Sequence, residues 1–196
     1  MPTTTPFFVG IAGPSGSGKS TLARAIEKQY PTIARVRFDN YFKEPEECEQ
    51  INGEPFWDTP KSLDLDRLHK NLLDLKSGKP THAPLNYDRV ALTRSWGTIE
   101  PAPVMLIEGF LLFADERIRN LFDLRVYVDL PEDLQLVRRM KRTPREEYVR
   151  DIIIANYRPH AVVARQCAHH VIDGARSKRE VQEKIMEIVR KVNNLV

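Results

Sequence analysis

A glycine-rich segment early in the sequence has the residue types and spacing of a phosphate-binding loop. Gly13 to Ser20 matches the pattern G-x-x-x-x-G-K-[ST] between an apolar run, residues 7–12, and a segment of helical character. Glycines let the backbone approach an anion closely, and a helix N-terminus adds a partial positive charge. Lys19 can reach the outer phosphates of a nucleotide, and the Ser20 hydroxyl can bind Mg²⁺.

The predicted nucleotide-binding residues are consecutive along this loop. They are Gly13, Pro14, Ser15, Gly16, Ser17, Gly18, Lys19, Ser20 and Thr21. The pattern predicts nucleotide binding and leaves the reaction open, because switches, motors and small-molecule kinases all use it.

Two carboxylates follow other predicted strands. Asp39 ends a strand over residues 34–38, and Glu108 ends the most apolar strand, residues 104–107, which we expect to be central. Asp39 could accept the proton of an attacking hydroxyl, with a turn or cap residue as the alternative. Glu108 lies among apolar residues, where a carboxylate without a partner is costly. We therefore predict Asp39 as a general base, and Ser20, Glu108 and Asp39 as ligands of Mg²⁺.

A cluster of basic residues brackets a predicted helix break at Thr143-Pro144. Its members are Arg138, Arg139, Lys141, Arg142, Arg145 and Arg150. Charge runs often form a solvated helix face, which is the alternative here. Behind a phosphate loop, the cluster favours a lid over about residues 138–150 that closes on a transferring phosphoryl group and excludes water.

Strands and helices alternate along the chain, which predicts an α/β fold with three layers. The predicted strands are residues 7–12, 34–38, 104–107, 124–128 and 170–172. The predicted helices are residues 21–30, 62–76, 115–122, 131–142, 146–157 and 181–192, and Pro159 ends the fifth of them. This pattern indicates a five-stranded parallel sheet with helices on both faces and ligands at the carboxyl ends of the strands. Residues 81–102 are expected to form a projecting hairpin insert.

Composition limits the classes of partner. The 196 residues suggest a single domain over residues 1–196, and 30 basic against 27 acidic residues give no indication of nucleic-acid binding. Two cysteines cannot form a disulfide framework, and no signal peptide or membrane-spanning segment is recognisable. We expect a cytoplasmic protein without a membrane partner. The sequence leaves open whether the protein forms a homo-oligomer.

The motifs together resemble the uridine kinase family of P-loop kinases, with its relatives the nicotinamide riboside kinases and phosphoribulokinases, from Gly10 to about Gly174. The motifs are Gly13-Pro14-Ser15-Gly16-Ser17-Gly18-Lys19-Ser20-Thr21, Phe38-Asp39-Asn40-Tyr41-Phe42, Phe56-Trp57-Asp58-Thr59-Pro60, Pro84-Leu85-Asn86-Tyr87-Asp88, Glu100-Pro101-Ala102, Ile107-Glu108-Gly109 and Leu136-Val137-Arg138-Arg139. The resemblance implies a P-loop nucleoside kinase fold and a kinase that needs ATP and Mg²⁺. Its acceptor would be the 5′-hydroxyl of a nucleoside.

The resemblance also implies roles at the matched positions. Asp39 would face the sugar 5′-hydroxyl, and Asp58 would accept both ribose hydroxyls, which suits a carboxylate with two acceptor oxygens. Lys19 and the lid residues Arg139 and Arg142 would act on the phosphates, with Arg139 also near the acceptor. Tyr87 matches an aromatic position beside the base. Trp57 could approach the base as well, although a plain core tryptophan is equally compatible.

Some positions depart from the family pattern. Leu92 stands where uridine kinases carry a histidine that helps read the pyrimidine, Arg89 replaces a phenylalanine, and the lid is shorter. Other segments are similar to nicotinamide riboside kinases, so nicotinamide riboside or another ribosyl metabolite is the alternative acceptor. Two alternatives belong to other functional classes: a GTP- or ATP-dependent switch, and a catalytically silent nucleotide-binding module. The sequence lacks the N-K-x-D guanine reader of a GTPase, and an intact Lys19 and Asp39 favour an enzyme.

Overall fold

The computed structural model describes residues 5–193 and is built on a parallel β-sheet. The strands in chain order are β1 (Phe7–Ala12), β2 (Ile33–Arg37), β3 (Gln50–Ile51), β4 (Glu54–Pro55), β5 (Thr81–Asp88), β6 (Thr93–Ile99), β7 (Val104–Gly109), β8 (Leu124–Asp129) and β9 (His170–Asp173). Five of them form the main sheet in the order β2, β7, β1, β8, β9, and every pairing in it is parallel. The predicted α/β class and the five-stranded sheet are confirmed.

Helices cover both faces of this sheet. They are α1 (Lys19–Gln29), α2 (Leu65–Lys76), α3 (Glu116–Arg119), α4 (Glu132–Met140), α5 (Ala155–Cys167) and α6 (Lys178–Asn193). Successive β1 residues point to opposite faces, as in any strand. Phe8 therefore belongs to a core shared with Leu72 of α2, whereas Val9 belongs to a second core with Leu22 of α1 and Ile185 of α6. In the described part of the chain, no helix is long and apolar enough to cross a bilayer.

The most apolar strand is not the middle one. β7 lies between β2 and β1, and β1 occupies the centre of the sheet, which corrects the expectation of a central β7. All six β7 residues are nevertheless buried, because strands flank it on both sides and helices cover both of its faces. An apolar run thus indicates an interior strand without fixing its place in the order.

Helix boundaries differ from the prediction at two main places. The helix predicted to end at Pro159 continues to Cys167, after a π-helical turn at Tyr148–Ile154. A proline in a helix interior costs about 3 kcal/mol, and burial of Tyr157 and Ala164 of α5 in the core offsets it. The helix predicted from Ser62 begins at Leu65 instead, and α3 and α4 are each shorter than predicted.

The predicted hairpin insert is present as a separate antiparallel sheet. Strands β5 and β6 pair from Thr81↔Ile99 to Asp88↔Thr93 and do not join the five-stranded sheet. The Asn40 amide donates to the Leu85 carbonyl oxygen at 2.8 Å, which ties the hairpin to the segment after β2. The hairpin therefore lies beside the carboxyl ends of the main strands.

Candidate active site

The phosphate loop joins the end of β1 to the start of α1. Gly16 and Gly18 have φ values of 89° and 91°, a backbone region that glycine enters without a steric penalty. A Cβ atom on Gly13 would lie 2.7 Å from the Val128 carbonyl oxygen, so the loop packs too closely on β8 for a larger residue. The loop lines one side of a cavity of about 250 Å³ at the carboxyl ends of the strands.

Lys19 is the first residue of α1, and its side chain is buried beside the loop. Its ammonium group donates to the Pro14 carbonyl oxygen at 3.4 Å. Burial lowers the pKa of Lys19, and the negative charges of Asp39 and Glu108 oppose that shift. An anionic phosphate in the cavity would stabilise the charged form of this lysine further.

Ser20 and Glu108 meet, as the metal prediction requires. The Ser20 hydroxyl donates to Glu108 Oε2 at 2.9 Å, and Arg35 Nη2 donates to Glu108 Oε1 at 2.7 Å. The side chains of Arg35 and Glu108 are only 8% and 5% exposed. Because β2 and β7 are neighbours in the sheet, Arg35 of β2 can satisfy a carboxylate at the end of β7.

The donor set fits Mg²⁺ on its chemistry. Mg²⁺ favours oxygen ligands and usually keeps several waters alongside one or two protein ligands and substrate phosphates. Ser20 and Glu108 supply a hydroxyl and a carboxylate. Asp39 Oδ1 is buried, with no hydrogen-bond partner among residues 5–193. Those residues contain no group of three or more His, Cys, Asp or Glu side chains that could hold a metal alone, so nucleotide phosphates would have to complete the coordination.

Asp39 lies in a 3₁₀ turn, Phe38–Tyr41, directly after β2. Phe38 and Tyr41 are fully buried on either side of it, so packing fixes the backbone that carries the carboxylate. Burial raises the pKa of Asp39, whereas the Lys19 charge lowers it. The result is a half-buried carboxylate of increased basicity, lining the same cavity as the phosphate loop.

An ion pair links the two sides of this cavity. Arg139 Nη2 donates to Asp58 Oδ2 at 2.8 Å, and Arg139 Nη1 donates to Ser15 Oγ at 2.9 Å. The side chains of Arg139 and Asp58 are 15% and 12% exposed. Arg139 therefore connects the phosphate loop with the carboxylate that the resemblance assigns to the acceptor.

The arginines of the basic cluster divide into three that lie at the phosphate loop and two that lie away from it. Arg142 lines the cavity with Arg139, whereas Arg138 donates to the carbonyl oxygens of Gly16 and Gly174 at 3.0 and 3.2 Å. The cluster's other two arginines lie away from the loop. Arg145 pairs with Glu54 and Arg150 pairs with Glu146, both at exposed positions.

A second cavity, of about 410 Å³, lies on the other side of the phosphate loop. Leu22 of α1 and Val181 of α6 give it an apolar wall, and Arg176 and Gln182 are polar groups in its lining. Arg142 lines both cavities, so the two are adjacent.

Two residues predicted beside the base do not line the first cavity. Tyr87 is buried under Arg94, whose guanidinium carbon lies 4.2 Å from the ring centre, and its hydroxyl faces Lys43 and Glu44. Trp57 packs edge-on against Phe42, with 5.4 Å between ring centres.

Leu92, which stands where uridine kinases carry a histidine, does not line the first cavity either. Leu92 is half exposed in the hairpin turn, at φ 52°. Its side chain is therefore not placed to contact an acceptor held against the cavity wall.

Several cavity residues were missed by the sequence reasoning. Phe42 and Phe110 line the cavity, as do Arg24 and Arg89. Phe42 is the last residue of the motif Phe38-Asp39-Asn40-Tyr41-Phe42, and Phe110 directly follows Ile107-Glu108-Gly109, which is a usable signal. Arg35, the partner of Glu108, had no such signal, because its contact depends on the order of the strands.

Comparison with known proteins gives a consistent set of relatives. A family model described as the Phosphoribulokinase / Uridine kinase family matches residues 8–157. A uridine kinase of Borrelia hermsii is 38% identical over 137 residues, covering 69% of this chain and 66% of that protein. A uridine kinase of Streptococcus uberis is 37% identical over 146 residues, covering 70% of this chain and 67% of that protein. The chain thus spans about two thirds of the length of these curated relatives.

A solved structure agrees at the level of the fold. It is described as a possible uridine kinase from Bacillus stearothermophilus and superposes with a TM-score of 0.62 at 22% identity, covering 88% of this chain and 91% of that one. The family match includes the phosphate loop, Asp39, Asp58, Glu108 and Arg139. Since that match covers well over half of the sequence, the chain belongs to the phosphoribulokinase/uridine kinase family.

Proposed function

We propose that this protein transfers the γ-phosphoryl group of ATP, in the presence of Mg²⁺, to the 5′-hydroxyl of a nucleoside. The observation that carries the proposal is the position of Asp39, a half-buried carboxylate in the cavity that the phosphate loop lines, whose buried Oδ1 has no hydrogen-bond partner among residues 5–193. The relatives named uridine kinase make uridine the first acceptor to test. We take the chain as one kinase domain, with the hairpin as an insert and residues 138–150 as a lid.

The donor would occupy the phosphate loop and the second cavity. Backbone N–H groups at the start of α1 and the Lys19 ammonium would hold the phosphates, since the helix N-terminus favours negative charge there. The apolar wall formed by Leu22 and Val181 suits a purine ring. Bound in this way, the donor would direct its γ-phosphate toward the cavity that Asp39 lines.

Asp39 would orient the acceptor hydroxyl and accept its proton. Burial raises the pKa of Asp39 and with it the basicity of the carboxylate, and the nearby Lys19 charge opposes that shift. General-base catalysis of this kind typically contributes about 10²- to 10⁴-fold to the rate. With its proton passing to Asp39, the hydroxyl oxygen would bond to the γ-phosphorus while the bond from that phosphorus to the β,γ-bridging oxygen breaks, and ADP would leave.

Positive side chains would stabilise the charge on the transferring group. Arg139 and Arg142 both line the cavity, and both belong to the proposed lid. Ser20 and Glu108 would hold Mg²⁺, which supplies charge neutralisation between the donor phosphates. Fixed donors in a site that excludes water are effective because they need no reorganisation during the reaction.

Asp58 would hold the sugar of the acceptor. A carboxylate can accept a hydrogen bond from each of two adjacent hydroxyls, and Asp58 already holds Arg139 at the cavity wall. Phe42 and Phe110 supply the aromatic surface of the cavity, and Trp57 supports Phe42 from behind.

A transfer assay tests the proposal. The purified protein is incubated with γ-labelled ATP, Mg²⁺ and a panel of uridine, cytidine, nicotinamide riboside and simple sugars, and the product position is assigned by phosphorus NMR. We expect transfer to a riboside 5′-oxygen that depends on the acceptor. Release of inorganic phosphate at one rate with every acceptor would indicate a switch, and no turnover with intact ATP binding would indicate a silent module.

A further inference from the structure

Arg89 is a cationic side chain on the acceptor side of the cavity that the proposed chemistry does not use. It lies in the hairpin turn between β5 and β6 and lines the cavity together with Asp39, Asp58 and Phe42. The turn is itself held in place, because Asp88 Oδ1 accepts hydrogen bonds from two backbone N–H groups of the turn at 2.9 and 3.1 Å. The position of Arg89 is therefore set by local structure.

The guanidinium group of Arg89 rests on two aromatic rings. Its central carbon lies 4.5 Å from the centre of the Phe42 ring and 5.5 Å from that of Trp57. Cation–π contacts of this kind hold the group without consuming its N–H donors. Any acceptor ring that approaches Phe42 must therefore meet the guanidinium.

The donors of Arg89 are also uncommitted. Among the described residues, its side chain has no hydrogen bond or ion pair, and it is exposed. Arg94, the other arginine of the hairpin, differs, since it pairs with Glu44 at 2.9 Å. The charge of Arg89 reaches into the site, where it lowers the pKa of Asp39 against the effect of burial.

We propose that Arg89 selects the acceptor by the charge of its base. Arginine has five N–H donors and no acceptor, so it favours a ring that carries carbonyl oxygens or a negative substituent. A cationic ring at the same place is repelled, because like charges at contact distance are unfavourable even near a protein surface. The inference rests on the proposed function and narrows its acceptor to neutral or anionic bases, against the cationic ring of nicotinamide riboside.

Two ribosides with the same ring give the sharpest test. Nicotinamide riboside has a cationic ring with a neutral carboxamide, and nicotinic acid riboside has a carboxylate in place of that carboxamide on the same ring, so the pair differs mainly by one negative charge. A hydrogen bond to a charged group corresponds to about a tenfold to hundredfold effect. With saturating ATP, we expect wild-type kcat/KM to favour nicotinic acid riboside over nicotinamide riboside by at least about tenfold. Uridine should also exceed nicotinamide riboside.

Arg89→Met keeps the stem of the side chain and removes its charge. We expect it to bring the ratio for the two ribosides to within about threefold, mainly through loss of activity on nicotinic acid riboside. Arg179→Met is the matched control, since Arg179 is 86% exposed on α6 and pairs with Glu183. It should keep the wild-type ratio. Unchanged ATP affinity by calorimetry shows that the Arg89→Met variant is folded. Arg89→Gln is a second variant that also removes the charge, and the same change in the ratio is expected of it.

The outcomes separate the two proposals. Transfer that persists with the same ratio in the Arg89 variants would overturn the role of Arg89 and leave the kinase proposal standing. A wild-type preference for nicotinamide riboside would do the same. Transfer to no riboside at all would overturn the proposed function, and the inference with it.

Discussion

Asp58→Ala removes the carboxylate that pairs with Arg139 in the lining of the first cavity. Asp58 and Arg139 are joined at 2.8 Å with only 12% and 15% of their side chains exposed. A hydrogen bond to a charged group contributes about 1.5–3 kcal/mol, so the variant should lose stability of that order. Arg139 keeps its bond to Ser15 at 2.9 Å, which limits the rearrangement of its side chain.

The effect on acceptor choice follows from the same carboxylate. If Asp58 binds the ribose diol, a 2′-deoxyriboside leaves one of its hydrogen bonds unmade. The wild-type protein should then prefer uridine to 2′-deoxyuridine by about 10- to 100-fold in kcat/KM, because a buried polar group left unpaired is costly. In Asp58→Ala the uridine rate should fall far more than the deoxyuridine rate, so the ratio should approach one.

The assay measures kcat/KM for both acceptors with saturating ATP, in the wild type and in the variant. Asp66→Ala serves as the control, because Asp66 is 85% exposed on α2 and pairs with Arg117. Equal wild-type rates on uridine and deoxyuridine would refute the reasoning, as would a preference that survives in Asp58→Ala.

Three further predictions concern the phosphate loop and its supports. Lys19→Ala should weaken ATP binding and turnover together, because Lys19 would contact the phosphates before and during transfer; calorimetry that finds unaltered ATP affinity would contradict this. Arg35→Met should lower the free energy of unfolding by about 3 kcal/mol in urea titration, since it leaves the buried Glu108 carboxylate without its partner at 2.7 Å, whereas Arg179→Met should change it little. Because burial raises the pKa of Asp39, kcat/KM should fall with decreasing pH through a pKa above the ordinary 3.8, and a profile flat down to that value would exclude Asp39 as the base.

Much of the fold could be predicted because local pattern determines it. The apolar runs of β1, β7 and β8 and the leucine spacing of α2 reflect burial on the sheet, which periodicity records directly. Pro159 was misleading, since a local rule about proline was outweighed by the packing of Tyr157. The order of the strands was not readable either, because it depends on contacts between distant segments.

In the candidate site, too, the features set by local sequence could be predicted, and those set by contacts between distant segments could not. Motif spacing predicted the phosphate loop, and in the structure Ser20 contacts Glu108, two residues that were predicted as Mg²⁺ ligands. Motif spacing did not reveal that Arg35 would pair with Glu108, or that the hairpin would bring Arg89 to the cavity. Those contacts join residues far apart in the chain, and sequence spacing carries no information about them.

Asp39→Asn tests the central claim most directly, because it keeps the size of the side chain and removes its ability to accept the acceptor's proton. ATP affinity, measured by calorimetry with Mg²⁺, should stay close to that of the wild type. In single-turnover assays with γ-labelled ATP and uridine, phosphoryl transfer should fall by about 100-fold or more, whereas Asp66→Asn should match the wild type. Transfer by Asp39→Asn near the wild-type rate would contradict the account.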